Sequence, residues 1–412
     1  VVRGGFGMFA DLYAISVGSG FLSNLPLDPG FSPSVGLISP AESNSLQASA
    51  QAAYTALESG FNSGATLAQL QAAVPGFEPP NLTAVQSGLQ QPTYYKWNLE
   101  VQQGIWHSAA LTVGYTGNYG VNELMEDPAV NAYSPTAFAG LPASPVDPRF
   151  GQVTEYQSDG KSNYNGFTGT LRDNFSSGVL MLTYTWSHAF ADGFGSGQTR
   201  YMEVPSDPAF TYGPADQDVR HSFAANYVWN VPFQQWFGGS SVVAGGWQVT
   251  GTFMARTGTP YSVIDQTRTN HLSATGLARI RGGGILANFL GGPATSCNSP
   301  DQPCLSASEF NPATTGFGAQ QRDSFYGPGF WDTDMSLIKN FTVPGWESAK
   351  LYLEGSAYNL FNHPNFYQPD NNLESGQFGL ITSTNQNASS ILGDNGGDAS
   401  VRLIQLQIGL RW

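Results

Sequence analysis

The residues best suited to chemistry lie in "ADQDVRHSF", where Asp216, Asp218, Arg220 and His221 fall within six positions. A histidine beside carboxylates can act as a general base. In an extended strand, however, side chains alternate, so Asp218 and Arg220 share a face while His221 points the other way. The stretch reads as charge at the start of a strand, and no catalytic residue is assigned. "GGFGMFA" matches G-x-G-x-x-A through Gly5, Gly7 and Ala10. That motif holds a pyrophosphate only where a strand meets a helix in a βαβ unit, and here it sits inside a strand-like run. "NLFNHPNF" gathers Asn359, Asn362, His363 and Asn365 around Pro364 and reads as turn chemistry. The five histidines lack metal-ligand spacing and no G-x-S-x-G elbow occurs, so neither a metal site nor a cofactor is expected. Cys297 and Cys304 bracket "NSPDQP" and suit a short disulfide in an oxidising compartment better than a metal site short of two ligands.

The elements that position these residues show most clearly at the end of the chain. In "RLIQLQIGLRW", Ile404, Leu406, Ile408, Leu410 and Trp412 fall on one side of a strand and Gln405, Gln407 and Arg411 on the other. Period-two alternation recurs in ten segments, near 1–15, 93–103, 107–117, 162–175, 178–190, 219–233, 244–257, 328–342, 348–361 and 400–412. Between them the connections alternate long and short. Residues 16–92, 118–161, 191–218, 258–327 and 362–399 are long; "QGIWH", "SS", 234–243 and "TVPGWES" are short.

Composition narrows the class. Only 11% of the 412 residues are charged, against about a quarter in an ordinary soluble domain. No run approaches the roughly 18 apolar residues of a membrane-spanning helix, and mean hydropathy is −0.20. An antiparallel transmembrane β-barrel passes that test because its apolar residues are every second one, facing lipid while the others face water. Short turns at one end and long loops at the other are the connectivity of such barrels in bacterial outer membranes, and they place the carboxyl terminus on the periplasmic side. All nine tryptophans lie in or beside predicted strands or short turns, where rings anchor at headgroup level. With a net charge of −14 and only 16 Lys and Arg, a nucleic-acid partner is excluded.

Within loop 16–92, Ser39, Pro40, Glu42 and Gly60 mark a helix, and Thr66 to Val74 a second. The pair, about 39–75, is a helical insert in a loop of a single barrel portion spanning 1–412. The chain opens in mid-pattern with "VVRGGFGMF" and without a signal-peptide pattern, so upstream sequence is expected.

The patches "RGGFGMF", "SNYNGFTGTLRDNFSSGVLMLTYTWSHAF", "DVRHSFAANYVWNVPF", "GGWQVTGTFMARTGTPYSV", "GPGFWDTDMSLIKNF", "EGSAYNLFNHPNF" and "IQLQIGLRW" resemble, in that order, the carboxyl-terminal barrel of Oar-like TonB-dependent receptors. The resemblance covers most strands and little of the loops. It implies an outer-membrane receptor with an amino-terminal domain, a plug bearing a TonB-contact segment, and a barrel of about 22 strands. Plug and amino-terminal domain are absent from this sequence, so ten strands are expected to be part of a larger barrel. Partners would be outer-membrane lipid, the plug and TonB complex through upstream sequence, the barrel-assembly machinery through the terminal strand, and an unknown nutrient or oligomeric substrate.

By strand parity Arg172, Arg256, Glu354, Gln405, Gln407 and Arg411 face the lumen. Lys339 shares parity with Trp331, Met335 and Leu337 and is expected to snorkel from the lipid face to the interface. The expected function is non-catalytic TonB-dependent uptake through the loops. The alternative is an autonomous outer-membrane pore or surface adhesin.

Overall fold

Every second residue apolar means that each strand has two unlike faces, and a ladder of such strands inherits them. The computed structural model of the chain describes residues 1–13, 15–22, 24, 51, 54–56, 58–60, 62–73, 79–106, 108–135, 138–193, 200–204, 207–265, 285–292, 297, 299–311, 316–343, 345–385 and 401–412. Ten strands pair antiparallel in chain order: β1 (Val2–Ala10), β2 (Thr93–Trp106), β3 (Ala109–Asp127), β4 (Val153–Asp173), β5 (Gly178–Ala191), β6 (His221–Val231), β7 (Trp247–Arg256), β8 (Phe330–Val343), β9 (Trp346–Tyr358) and β10 (Leu403–Arg411). Three short strands join this sheet: Leu82–Val85 beside β4, Arg200–Tyr201 beside β3 and Gly213–Pro214 beside β5. β1 and β10 are its two edges and, among the described residues, do not pair with each other. The fold is all-β and antiparallel, an open sheet in this chain.

The register sorts side chains by chemistry. On one face Leu99, Tyr115, Phe167, Trp186 and His221 lie in one row across β2 to β6. Another row of that face runs Trp229, Val249, Leu337, Gly355, Leu406 across β6 to β10. On the opposite face Arg172, Met181, Asn226, Thr252 and Asp334 form a row from β4 to β8. Hydroxyls and amides bridge neighbouring strands there: Thr168 with Thr185 (3.2 Å), Thr170 with Thr183 (3.3 Å) and Ser336 with Ser356 (2.7 Å), while Gln248 donates to Asn230 (2.9 Å). Such a face satisfies itself in water, whereas the other is dominated by apolar side chains, with polar contacts such as Tyr184 Oη to His221 Nδ1 (2.8 Å) near its end.

Burial is inverted relative to a soluble sandwich. Large apolar residues of the ladder are exposed, among them Leu406 at 83% and Ile408 at 68%, while most buried apolar residues lie in the connections. Tyr261, Val263, Ala287, Leu305 and Phe310 make one such cluster, and Ala129, Ala132, Phe138 and Ile285 another. Short strand pairs join Pro260–Tyr261 to Phe325–Tyr326, Ile264–Asp265 to Ile285–Leu286 and Asn288–Phe289 to Phe310–Asn311. Cys297 and Cys304 form a disulfide packed on Ile381. The described parts of the long connections therefore form a packed cap, and antiparallel order puts all five connections at one end of the ladder.

Two strands run further than their alternation indicates: β3 to Asp127, not 117, and β4 from Val153, not 162. These extensions pair with each other through irregular register around Glu123, and Asn122 takes a positive φ of 55° there. Glu123, Met125, Gln157 and Ser158 are buried beneath the connections, so no two-solvent pattern exists to be read. Short turns close the other end; Gly345, between β8 and β9, has φ 77°, a left-handed value that favours glycine.

The helical insert is described in part. Residues 54–56 and 58–60 are helical and α1 spans Leu67–Ala73, its start capped by reciprocal Thr66 and Gln69 bonds. Ser39, Pro40 and Glu42 lie outside the described residues. An unforeseen helix, Ile15–Leu22, follows β1 and packs Val17 against Leu124 and Tyr156. "GGFGMFA" is extended ladder within β1.

Candidate functional site

The six residues assigned to the lumen all occupy the polar face. Arg172 stands opposite Met181 and its Nε reaches Asn174 Oδ1 (3.4 Å). Arg256 stands opposite Ser222 and Phe330, its guanidinium 5.4 Å from the Phe330 ring centroid. Glu354 and Gln407 are directly opposed; Gln407 Nε2 donates to Tyr352 Oη (2.9 Å), and Glu354 Oε1 accepts from Ser356 (3.3 Å). Gln405 accepts from Tyr358 at 3.5 Å, and Arg411 lies over Tyr352 at 4.4 Å. Their partners are one another's neighbours, so this wall is a hydrogen-bonded lining and not a single focal site. Arg172, Met181, Asn226, Thr252, Asp334 and Tyr358 line a cavity of about 580 Å³. The first five sit on successive strands, about 19 Å across at a spacing of about 4.8 Å per strand. A single concavity over that width means that the sheet curls toward its polar face.

The terminal strand keeps its alternation: Ile404, Leu406, Ile408 and Leu410 face Ala357, Gly355, Leu353 and Leu351 on the apolar side, and Trp412, just past β10, is exposed.

At the long-connection end, Asp218 and Arg220 converge on a residue that the sequence did not single out. His188 Nδ1 is 2.9 Å from Asp218 Oδ2, and its Nε2 is 2.9 Å from Arg220 Nη2. A guanidinium only donates, so Nε2 must accept and Nδ1 carries the proton given to Asp218. The other Asp218 oxygen accepts the Ala189 N–H (2.7 Å), which accounts for a carboxylate only 1% exposed. Tyr326 joins through Arg220 and, at 3.5 Å, Asp218; burial pushes its phenol above its ordinary value, keeping it a donor. Both His188 nitrogens are occupied, so the group is an electrostatic staple between β5 and the connections. His221 instead meets Tyr184 Oη through Nδ1 at 2.8 Å. Tyr184, Trp186 and His188 alternate along β5, so both pairs lie on one side; the opposite-face expectation fails because the ladder begins only at His221.

Asp216 binds Arg322, a side chain 1% exposed that also donates to Ala191 O (2.9 Å) and lies 3.3 Å from Asp323. Asp323 in turn accepts from Ser262 Oγ (2.8 Å). These bonds fix the cap to the end of β5. His188 at an apolar-parity position after Trp186 was a detectable cue; Arg322 carried none.

"NLFNHPNF" is a turn, as read: Asn359 and Asn362 have φ of 47° and 53°, Asn359 Oδ1 accepts from His363 N (2.8 Å), and Asn365 Oδ1 from Trp331 N (3.0 Å). The fold adds a stack, His363 on Trp331 at 4.1 Å and 21°.

Lys339 does not snorkel. It is 6% exposed and donates to the backbone oxygens of Val243 (3.1 Å) and Gly245, supplied by the turn between β6 and β7. Trp247 and Phe341 flank it at 5.2 and 5.1 Å.

The model of a family described as "Outer membrane beta barrel domain" matches residues 1–405. A search of the curated proteins finds no match. Similar solved structures include the outer membrane transporter YddB from Escherichia coli, at 10% identity and TM-score 0.43, covering 81% of this chain and 34% of that one. The FpvAI–pyocin S2 complex is another, at 10% identity and TM-score 0.38, covering 79% and 27%. This chain therefore spans about a third of the YddB chain. Among the described residues no helix is long and apolar enough to cross a membrane, which bears on helices and not on strands.

Proposed function

This chain belongs to the outer membrane beta barrel domain family, and from that premise we propose that it is the barrel portion of an Oar-like, TonB-dependent transporter. The apolar face meets lipid, the polar face lines the solute path, the long connections are extracellular and the carboxyl terminus is periplasmic. Substrate is captured by the loops and passes without covalent chemistry. The observation that carries this reading is the union of a packed, disulfide-bearing cap with a concave polar wall beneath it. A simple pore gains nothing from so ordered a cap, whereas a receptor needs fixed loops to select a ligand. Plug, TonB contact and barrel closure would come from outside this chain.

The test is binding of the TonB carboxyl-terminal domain to the full-length protein, with planar-bilayer conductance recorded in parallel. Saturable TonB binding and a closed barrel are expected. Steady open conductance without TonB binding would favour the passive pore.

A further inference from the structure

The apolar face carries a cleft of about 1180 Å³ that the transport reading does not use. Phe223, Phe253 and Trp331 line it, with ring centroids 5.9 and 6.4 Å apart, and His363 lies flat on Trp331. Arg220, His221 and Arg256 also line it. Its height follows from the ladder. Trp331 is opposite Ala255, and Trp247, on the short-turn side, is eight residues away along β7. At about 3.3 Å per residue and a tilt of about 40° this is about 20 Å, close to the roughly 25 Å apolar band of such barrels. Trp247 and Trp331 therefore mark the two interfaces, and the cleft sits at headgroup level on the long-connection side.

We propose that this cleft binds a phosphate-bearing lipid of that leaflet, with Arg220 and His221 toward the phosphate and Phe223, Phe253 and Trp331 along the upper acyl chain. Two observations select this occupant. Tyr184, His221, Phe223, Phe253, Ala255 and Trp331 place most of the ladder residues lining it on the face that hydrocarbon covers, with Ser222, Arg256 and Phe330 reaching it from the polar face, and this balance favours a lipid over a lumenal solute. Its charge is the reverse of the chain's: net charge is −14, yet among the described residues lining it there is no carboxylate. Asp218 gives its oxygens to His188 and the Ala189 N–H, so the Arg220 guanidinium bonds an imidazole and a phenol. The inference rests on family membership and not on TonB coupling.

The full-length protein is reconstituted in vesicles, and quenching of Trp331, taken as wild type minus Trp331→Phe, is compared for brominated-chain phosphatidylglycerol and phosphatidylcholine. A preference of roughly fivefold for the anionic lipid is expected, the fold-change of one arginine at a membrane surface. Arg220→Gln should bring it to equality. Thr257→Glu, which adds a carboxylate at the mouth and leaves Arg220 untouched, should do the same if Arg220→Gln fails to fold. Equal quenching in wild type, or a preference that survives in the folded variants, overturns the proposal. So does inorganic phosphate without lipid shifting Trp331 emission as far as the vesicles do, since the cleft would then take a soluble anion.

Discussion

Lys339 stands directly opposite Trp247 across the β7–β8 ladder, its ammonium 5.2 Å from the indole centroid on the apolar face. A cation there must be satisfied locally, and the carbonyls of Val243 and Gly245 accept from it while two rings cover its sides. Lys339→Met should lower stability by ~1–3 kcal/mol by taking the ammonium donor from the Gly245 carbonyl, while the Val243 carbonyl keeps the Trp247 Nε1–H at 2.8 Å. Urea unfolding in micelles, with Trp emission at the same turn, reads this out; an unchanged midpoint would mean that water already serves the Gly245 carbonyl.

The two faces predict opposite tolerance to charge. Leu182 is opposite Ala225 on the apolar face, and Asn226 is the next residue on the polar one. Leu182→Arg should cost roughly 2–4 kcal/mol and Asn226→Arg far less. Equal penalties would contradict a two-solvent sheet.

Asp192, just past β5, is buried, and desolvation pushes its carboxyl up to about 6 from an ordinary 3.8, although the Lys161 N–H donates to it at 2.9 Å. Because its folded pKa is raised, its contribution is intact below about 3.8 and lost as pH rises through about 6. Asp192→Asn should remove that loss and add as much as about 3 kcal/mol at pH 7, with little effect at pH 4. Identical stability–pH curves for the two proteins would show that Asp192 is not desolvated.

Asp218→Asn puts an amide against the Nδ1–H of His188. Hydrogen exchange should speed up at residues 187–190, with a local loss of ~1–3 kcal/mol, while circular dichroism of the ladder is unchanged. Exchange that stays slow would show that the staple is dispensable.

Reduction of Cys297–Cys304 releases a short loop that anchors the Ile381 cluster. A double serine variant should lose ~2–3 kcal/mol of local stability and gain protease cuts near 297–311. Heat-modifiable gel mobility of the barrel should not change; a mobility change would mean that the cap supports the ladder.

Where a segment borders two solvents, its pattern is explicit. β5, expected at 178–190, is Gly178–Ala191, and β6, expected at 219–233, is His221–Val231. The assignment of Arg172, Arg256, Glu354, Gln405, Gln407 and Arg411 to one face follows from the same parity, whereas the turn reading of Asn359 and Asn362 follows from their residue type beside Pro364. Under the cap that source of information ends. Glu123, Gln157 and Arg322 are polar and buried, and nothing in their spacing announces their partners.

The sequence by itself determined the ten strands, their order and which residues share a face, because alternation between hydrocarbon and water is written locally and the four short turns tie eight of the strands into antiparallel hairpins. Only the tertiary structure decided that His188, not His221, receives Asp218 and Arg220, that Lys339 is capped by a turn 94 residues away, and that an aromatic cleft opens on the apolar face. These depend on where chain segments distant in sequence meet, and a side chain's partners across such a distance leave no period to read.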